Sequence, residues 1–374
     1  MCRARSAASV EAMFVAWRDL RFAKGRFLLM GIVVILITVL VGLVSGLTAG
    51  LARESTSAID ELPADHLVFS APAEGESPSF TVSSVGESTR QQWSEVQGVH
   101  NVTPLGIATS RAQVDDHPAS VSAFGVPAGS ELAPDGDLLD AGSVVLSTGA
   151  ADDLGARVGD TVDIAGNQLT VASVAGEDSF SHTPVVWTDL GVYQELTGSG
   201  DDPASATVLA LGTTDQASEE ALAAADDSAG TLTLDRTESL QAITSYASEN
   251  ASLQLMRGFL FVISALVIGA FFSVWTIQRT GDIAVLKALG ASTRYLLKDA
   301  LGQAAVLLVL GTAVGSAIAL GLGIAIQGVV PFDLNIATVL FPAGVLIILG
   351  IAGAALSIRR VTSVDPLKAL GSAK

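Results

Sequence analysis

Phe27-Leu-Leu-Met-Gly-Ile-Val-Val-Ile-Leu-Ile-Thr-Val-Leu-Val-Gly-Leu-Val-Ser-Gly-Leu-Thr-Ala-Gly-Leu-Ala52 holds no charged residue. As a helix at 1.5 Å per residue it would be about 39 Å long, enough to cross a hydrocarbon core of ~30 Å with some tilt. The apolar region of a signal peptide stops at roughly 7–15 residues, so this run reads as a membrane span instead. Three more apolar blocks follow, at residues 257–278, 300–327 and 336–358. The mean hydropathy of the 374-residue chain is +0.52, and most of its apolar content lies in these four blocks. The expected fold is therefore a membrane protein of four transmembrane α-helices, with residues 53–256 inserted between the first and the second.

Charge sets the orientation. Residues 53–256 contain 32 acidic and five basic residues, net −27, and no lysine. The rest of the chain has six acidic and 15 basic residues, net +9. Lysine and arginine near span ends favour the cytoplasmic side. Arg18, Arg21, Lys24 and Arg26 precede span one; Arg279, Lys287, Arg294 and Lys298 lie in the 279–299 loop; Arg359, Arg360 and Lys368 follow span four. Four crossings put all three groups on one side. The predicted layout has a cytoplasmic tail and elbow segment at 1–26 and a cytoplasmic loop at 279–299. A short outer loop at 328–335 and a cytoplasmic tail at 359–374 complete it. Both termini are then cytoplasmic, in a multi-pass protein of the plasma membrane. Met13 opens a run that reads as a start, so residues 1–12 read as an upstream mis-start or a short tail.

Span one carries Gly42, Gly46 and Gly50, and span three Gly311, Gly315, Ala319 and Gly323. Small residues four apart form a flat stripe on which a neighbouring backbone can lie closely. The spacing leaves open whether that neighbour is in the same chain or in a second copy.

The inserted region mixes two periods and reads as an α+β domain. Glu87–Val96 is helical in pattern and stops at Gly98. Val162 and Ile164, then Leu169 and Val171, flank Gly166-Asn167 as a β-hairpin. Residues 216–225 read as a helix rich in alanine and glutamate. Asp235 with Glu238 fits a capping box. The helix it opens is expected to run through Leu240, Ile243 and Tyr246 into span two, so that stalks continue spans one and two. A division into a mixed lobe and a small β lobe is also compatible with the pattern.

Enzymatic motifs do not stand out. Cys2 is the single cysteine, so no disulfide or thiolate cluster forms within one chain. His66, His100, His117 and His182 are far apart in sequence, without a zinc-protease pattern. No Gly-x-Ser-x-Gly elbow occurs. Asp115-Asp116-His117 and the Asp-Asp pairs at 152–153, 201–202 and 226–227 read as solvated acidic surface. No catalytic residue, resident cofactor, metal or nucleic-acid partner is expected.

The loop Arg279-Thr-Gly-Asp-Ile-Ala-Val-Leu-Lys-Ala-Leu-Gly-Ala-Ser292 reads as a short amphipathic helix ending at Gly290. An interfacial helix resting on lipid is the plain alternative. The stretch resembles the cytoplasmic loop of FtsX-like and MacB-like ABC transporter permeases, whose pattern is close to R-x-x-E-I-[AG]-[VI]-L-[KR]-A-[LI]-G-[AM]-[ST]. Asp282 stands where glutamate is commoner. Val364-Asp-Pro-Leu-Lys-Ala-Leu370 also resembles that family's closing V-x-P-x-x-A-L. The resemblance implies a homodimer with two copies of a separate ATP-binding subunit, which carries the ATP. It also implies an ATPase-coupling element at Asp282, Ile283, Leu286, Lys287, Leu289 and Gly290, and an elbow helix at Met13–Lys24. The absence of Gly-x-x-x-x-Gly-Lys-[Ser/Thr] agrees with that division of labour.

Residues 17–31 and 287–300 look most like the haem-exporter branch found in Gram-positive bacteria. That likeness implies haem as the transported ligand. Alternatives are a drug or peptide exporter, or a force-transmitting complex that regulates an extracellular partner. Haem offers two propionates, apolar faces and an iron usually held by His, Met, Cys or Tyr. Arg53, Glu54, Tyr246, Glu249, Met256 and Arg257 lie within about three helical turns of the expected outer face. Arg53 and Arg257 would meet the propionates, and Tyr246 or Met256 the iron, with Phe80 and His66 as further candidates. Arginine at a span boundary also serves as a plain headgroup anchor.

Overall fold

A computed structural model describes residues 24–362 except 200, 201, 203, 204, 279, 282–284, 286–288, 327, 328 and 334. In chain order the elements are α1 (Lys24–Asp60), β1 (His66–Ser70), α2 (Glu87–Ser94), β2 (Val99–Val114), β3 (His117–Val126), β4 (Ser143–Leu146), α3 (Thr148–Leu154), β5 (Thr161–Ile164), β6 (Asn167–Val174), β7 (Ser179–Phe180), β8 (Thr183–Asp189), α4 (Leu190–Thr197), β9 (Val208–Thr213), α5 (Glu219–Ala229), β10 (Thr231–Asp235), α6 (Arg236–Ser239), α7 (Thr244–Gln278), α8 (Thr293–Ile326) and α9 (Ile336–Thr362). They divide into two compact units. One is formed by the chain up to Gly50 and from Ser252 onward, the other by Leu51–Ala251.

In the first unit α1, α7, α8 and α9 are each long and apolar enough to cross a membrane. The side chains that fill its core are Met30, Val34, Ile268, Phe272, Trp275, Ala304, Leu307, Leu308 and Ala354. Several hydroxyls within the spans bond back to the carbonyl one turn earlier, as in Thr38 to Val34, Thr276 to Phe272 and Thr312 to Leu308. This keeps them satisfied where no water is present. The two small-residue stripes pack within the chain. A Cβ placed on Gly42 would sit 3.0 Å from the Ala319 Cβ; on Gly311, 2.7 Å from Val34; on Gly315, 2.6 Å from Thr38. Gly46 and Gly323 leave room for the buried ring of Phe332, and Gly50 for the backbone of Pro331. α7 and α9 meet at Gly269 and Gly353, where the Ser357 hydroxyl donates to the Gly269 carbonyl at 3.1 Å and lies 2.8 Å from the Ser273 hydroxyl.

The second unit is α+β. Its strands form one connected system in the order β10-β1-β9-β2-β3-β8-β4-β6-β5, with β7 paired to β8. β2 is 16 residues long and serves two neighbours in turn, β9 along its first half and β3 along its second. Its far end also pairs with β5, at Ala112–Ile164 and Gln113–Asp163. That contact closes β2, β3, β8, β4, β6 and β5 into a ring, which removes exposed edges. Inside lie Val121, Ala123, Val144, Leu146, Val162, Ile164, Val171 and Val186, all almost fully buried. α2 and α5 cover the β10-β1-β9 end through Trp93 and Leu222.

Local signals account for several elements. β5 and β6 form the expected antiparallel hairpin, with Val162 opposite Leu169 and Ile164 opposite Asn167. The turn falls at Ala165-Gly166, both with positive φ, one residue earlier than the Gly-Asn pair suggests. Ser218 caps α5 through the Ala221 amide, so that helix starts at Glu219 rather than 216. Asp235 caps through the Glu238 amide at 2.8 Å. The helix it opens is nevertheless short. It ends at Ser239, a tight turn follows at Leu240–Ala242, and Ile243 is extended before α7 begins. An unbroken helix from Asp235 into span two is thus not formed. Leu240, Ala242 and Ile243 are all buried in the core, and a straight helix would point only part of this run inward.

Candidate functional site

α1 and α7 supply most of the candidate ligands, and β7–β8 supplies what the sequence reading missed. α1 continues past its uncharged run to Asp60, placing Arg53 and Glu54 at partly exposed positions. The next residues, Ser55 and Ser57, are buried because the two-residue turn between β7 and β8 lies over them. The Ser181 amide donates to the Ser55 carbonyl at 3.0 Å and the His182 amide to the Glu54 carbonyl at 3.2 Å. The Ser179 amide donates to the Ser57 hydroxyl at 2.8 Å, and that hydroxyl to the Ser179 carbonyl at 3.3 Å.

His182 joins the two helices. Its Nε2 is 2.9 Å from the Ser55 hydroxyl and 2.8 Å from Glu249 Oε2 on α7, and its Nδ1 is 3.7 Å from Glu54 Oε2. The Glu249 contact is at hydrogen-bond distance, whereas Glu54 at 3.7 Å is close enough only for a charge interaction. The Ser181 hydroxyl lies 2.7 Å from the Ser245 hydroxyl on α7. Ser181 and His182 both have positive φ, 51° and 64°, a conformation normally left to Asn-Gly in such turns. That pairing of residue type and turn length was the available signal.

Arg53 faces two carboxylates, Glu61 at 3.1 Å and Glu177 at 3.6 Å. These pairs are half-exposed or more and contribute roughly 0–1 kcal/mol each. Beside Glu177, Asp178 is buried and accepts from Trp187 Nε1 at 3.0 Å. Burial raises its carboxyl above the ordinary range, while the Trp187 hydrogen bond and the Arg53 charge oppose the rise.

The remaining candidates are placed elsewhere. Phe80 is in the core, edge-on to Phe69 at 4.8 Å and to Phe180 at 5.5 Å, in a chain of rings that continues to Phe124 and Trp187. It is not brought to Arg53 and Glu54. His66 lies on β1 between β9 and β10, with its buried Nδ1 lacking a hydrogen-bond partner. Tyr246 packs partly buried against the main core. Met256, with half of its surface exposed, and Arg257, which donates to Gln254, belong to the membrane unit. Glu54 and Glu249 are thus brought together through His182. Among the described residues no three His, Cys, Asp or Glu form a metal-holding group.

In the coupling segment Asp282, Ile283, Leu286 and Lys287 lie outside the described residues, as does the 13–23 part of the elbow segment. Leu289 is 80% exposed and its amide donates to the Val285 carbonyl at 3.0 Å, one helical turn. Gly290 has φ +97°, the left-handed value expected of a helix-ending glycine.

Comparison with known proteins fits this layout. Residues 27–227 match the family model described as MacB-like periplasmic core domain, and residues 255–366 that described as FtsX-like permease C-terminal. The chain is 27% identical over 369 residues to a Staphylococcus haemolyticus protein named "Putative hemin transport system permease protein HrtB", covering 96% of this chain and 99% of that one. It is 24% identical over 363 residues, with the same coverage, to an uncharacterised ABC transporter permease of Mycobacterium tuberculosis. The extracellular domain of the ABC-type transporter YknZ from Gram-positive bacteria aligns with a TM-score of 0.34 at 15% identity, covering 46% of this chain and 98% of that one. With one model covering more than half of the chain and a second covering most of the remainder, the protein is a member of the FtsX-like and MacB-like family of ABC transporter permeases.

Proposed function

We propose that this permease exports haem from the membrane, as a homodimer driven by separate ATP-binding subunits, with both termini in the cytoplasm. An ABC permease requires an ATP-binding subunit and a bilayer. The cargo, the dimer and the orientation are the proposed parts. The observation that carries the cargo is the near full-length match to staphylococcal proteins named for hemin transport. Arg53, Glu54, Tyr246, Glu249, Met256 and Arg257 are the proposed contacts for a flat, dianionic ligand entering from the outer leaflet. Phe80, buried in the core, would act on such a ligand only by shaping the domain.

The test is ATP turnover by the permease reconstituted with its ATP-binding subunit in lipid vesicles, measured against haem, peptides and lipids. Haem should bind and stimulate turnover, and Arg53→Ala and Tyr246→Ala should weaken both. Absence of haem binding and stimulation would reject the cargo, and stimulation by peptides alone would select a peptide exporter. One observation favours a second reading, force transmission without a cargo. The Arg53 guanidinium is already engaged by Glu61 and Glu177. In that case neither haem nor any small ligand changes turnover, and an extracellular protein partner does.

A further inference from the structure

The turn between β7 and β8 makes two unlike attachments. On the α1 side it is held by backbone amides of Ser179, Ser181 and His182, with three bonds of 2.8–3.2 Å to Ser57, Ser55 and Glu54. Its root is fixed in the sheet, where the Ser122 hydroxyl lies 2.6 Å from the Thr183 hydroxyl and Phe180 packs edge-on against Phe80 and Phe124. On the α7 side it is met by side chains: Ser181 with Ser245, and His182 with Glu249. Side-chain contacts at partly exposed positions exchange with water far more readily than a set of backbone bonds over buried serines.

α7 is also jointed at its start. Ile243 is extended and buried, which breaks the helix immediately before Thr244 and anchors the break in the core. Tyr246 packs against the same core, so the first turn of α7 is pinned, and the second meets the turn through the contact of Glu249 with His182.

The sequence bears a cost for this arrangement. Two consecutive left-handed residues without glycine are disfavoured. The hairpin of β5 and β6 in the same domain meets a like demand with Ala165-Gly166. Ser181 and His182 supply in exchange the two side chains that reach α7.

We propose that Ser181 and His182 form a releasable clasp on the first two turns of α7, jointed at Ile243, which restrains the stalk during the transport cycle. The clasp itself follows from the inserted domain alone. Its effect on the cycle rests on the reading of the protein as an ATP-driven permease, and is independent of the cargo.

The test uses the full chain with its ATP-binding subunit in lipid nanodiscs and the double variant Ser181→Asn/His182→Gly. Asn-Gly suits the turn, so β7–β8 should form at least as well, which separates loss of the clasp from loss of folding. Amide hydrogen exchange across residues 247–251 should quicken about tenfold, the scale of one or two partly exposed polar contacts. Exchange across residues 179–188 should stay slow, and ATP turnover without any added ligand should rise about twofold or more, a small fraction of a tenfold barrier change. Glu249→Gln should shift both readouts in the same direction by less. Unchanged exchange across 247–251 would overturn the clasp. Faster exchange with unchanged turnover would overturn its restraining role. Failure of haem to stimulate turnover would count against the cargo and leave the clasp standing.

Discussion

The ring of Phe332 occupies the place where a side chain on Gly46 would begin, since a Cβ there would lie 2.3 Å from its Cζ. The loop between α8 and α9 is thereby seated on the glycine stripe of α1, and the Asp333 amide donates to the Gly46 carbonyl at 3.1 Å. Gly46→Ala must displace a buried aromatic ring, so it should destabilise the membrane unit by about 1–3 kcal/mol, the usual range for overpacking. Phe332→Ala combined with Gly46→Ala should cost less than the two changes added together, because the clash is gone. Gly258→Ala, where an added Cβ meets nothing within 4 Å, is the control. Thermal unfolding in detergent would register these differences. Equal effects of the substitutions at Gly46 and Gly258 would show that Phe332 does not sit there.

The stripe itself was legible, because glycine at every fourth position has a plain geometric reading; its occupant was not. Phe332 is one aromatic residue in a short loop, and only the fold brings it back onto α1. The inserted domain divides in the same manner. Alternation of Val162, Ile164, Leu169 and Val171 marks β5 and β6, since each strand has one face inside the closed ring. The unbroken helix expected through Ile243 failed because burial of three consecutive-region residues overrode a capping signal that is local. At the candidate site, Glu54 and Glu249 are legible from their nearness along the chain to the spans. His182 lies more than 60 residues from either and was reachable only through the register of β7 and β8. Charge, by contrast, is a sum over positions, which is why the orientation could be argued without any fold.

Asp178 gives a prediction in pH. Its carboxyl is raised by burial, so the folded protein holds that proton more firmly than the unfolded chain does. The associated stability is fully present below the ordinary carboxylate range and declines as pH rises through the elevated folded value. Ionising the carboxylate in the folded protein carries a cost, offset in part by Trp187 and Arg53. Asp178→Asn keeps an acceptor for Trp187 Nε1–H and removes that cost. It should raise the unfolding temperature at neutral pH, with the advantage shrinking as pH falls toward the ordinary carboxylate range. A variant less stable than the parent at every pH would show that the charge, paired with Arg53, is needed.

Phe80 separates a core role from a ligand role. Its ring is 4% exposed and touches Phe69 and Phe180 edge-on. Phe80→Ala should destabilise the inserted domain by about 3–5 kcal/mol, as large-to-small core changes do. Phe80→Leu, which keeps most of the volume, should cost less than about 1.5 kcal/mol. Haem titration of the leucine variant in detergent should match the parent. A leucine variant with normal stability and much weaker haem binding would place the ring at a ligand after all.

The last prediction concerns the ATP-binding subunit. Leu289 and Val285 are one turn apart, bonded amide to carbonyl, and 80% and 61% exposed. Two apolar side chains at that spacing on a helical turn present a small sticky face, and in the proposed orientation two surfaces could cover it, lipid or the ATP-binding subunit. Charge distinguishes them. Leu289→Glu places an anion on that face while leaving the left-handed Gly290 to end the helix. Leu289→Lys places a cation, which an anionic inner leaflet would tolerate or attract. Docking into an apolar pocket of the ATP-binding subunit would be weakened by both, by at least about 2 kcal/mol or roughly 30-fold if Leu289 is a central anchor. Co-purification of the subunit with each variant, read beside the unfolding temperature of the permease alone, decides between them. Loss of the subunit in both variants with unchanged permease stability assigns the face to docking, and retention with lysine but not with glutamate assigns it to the membrane surface.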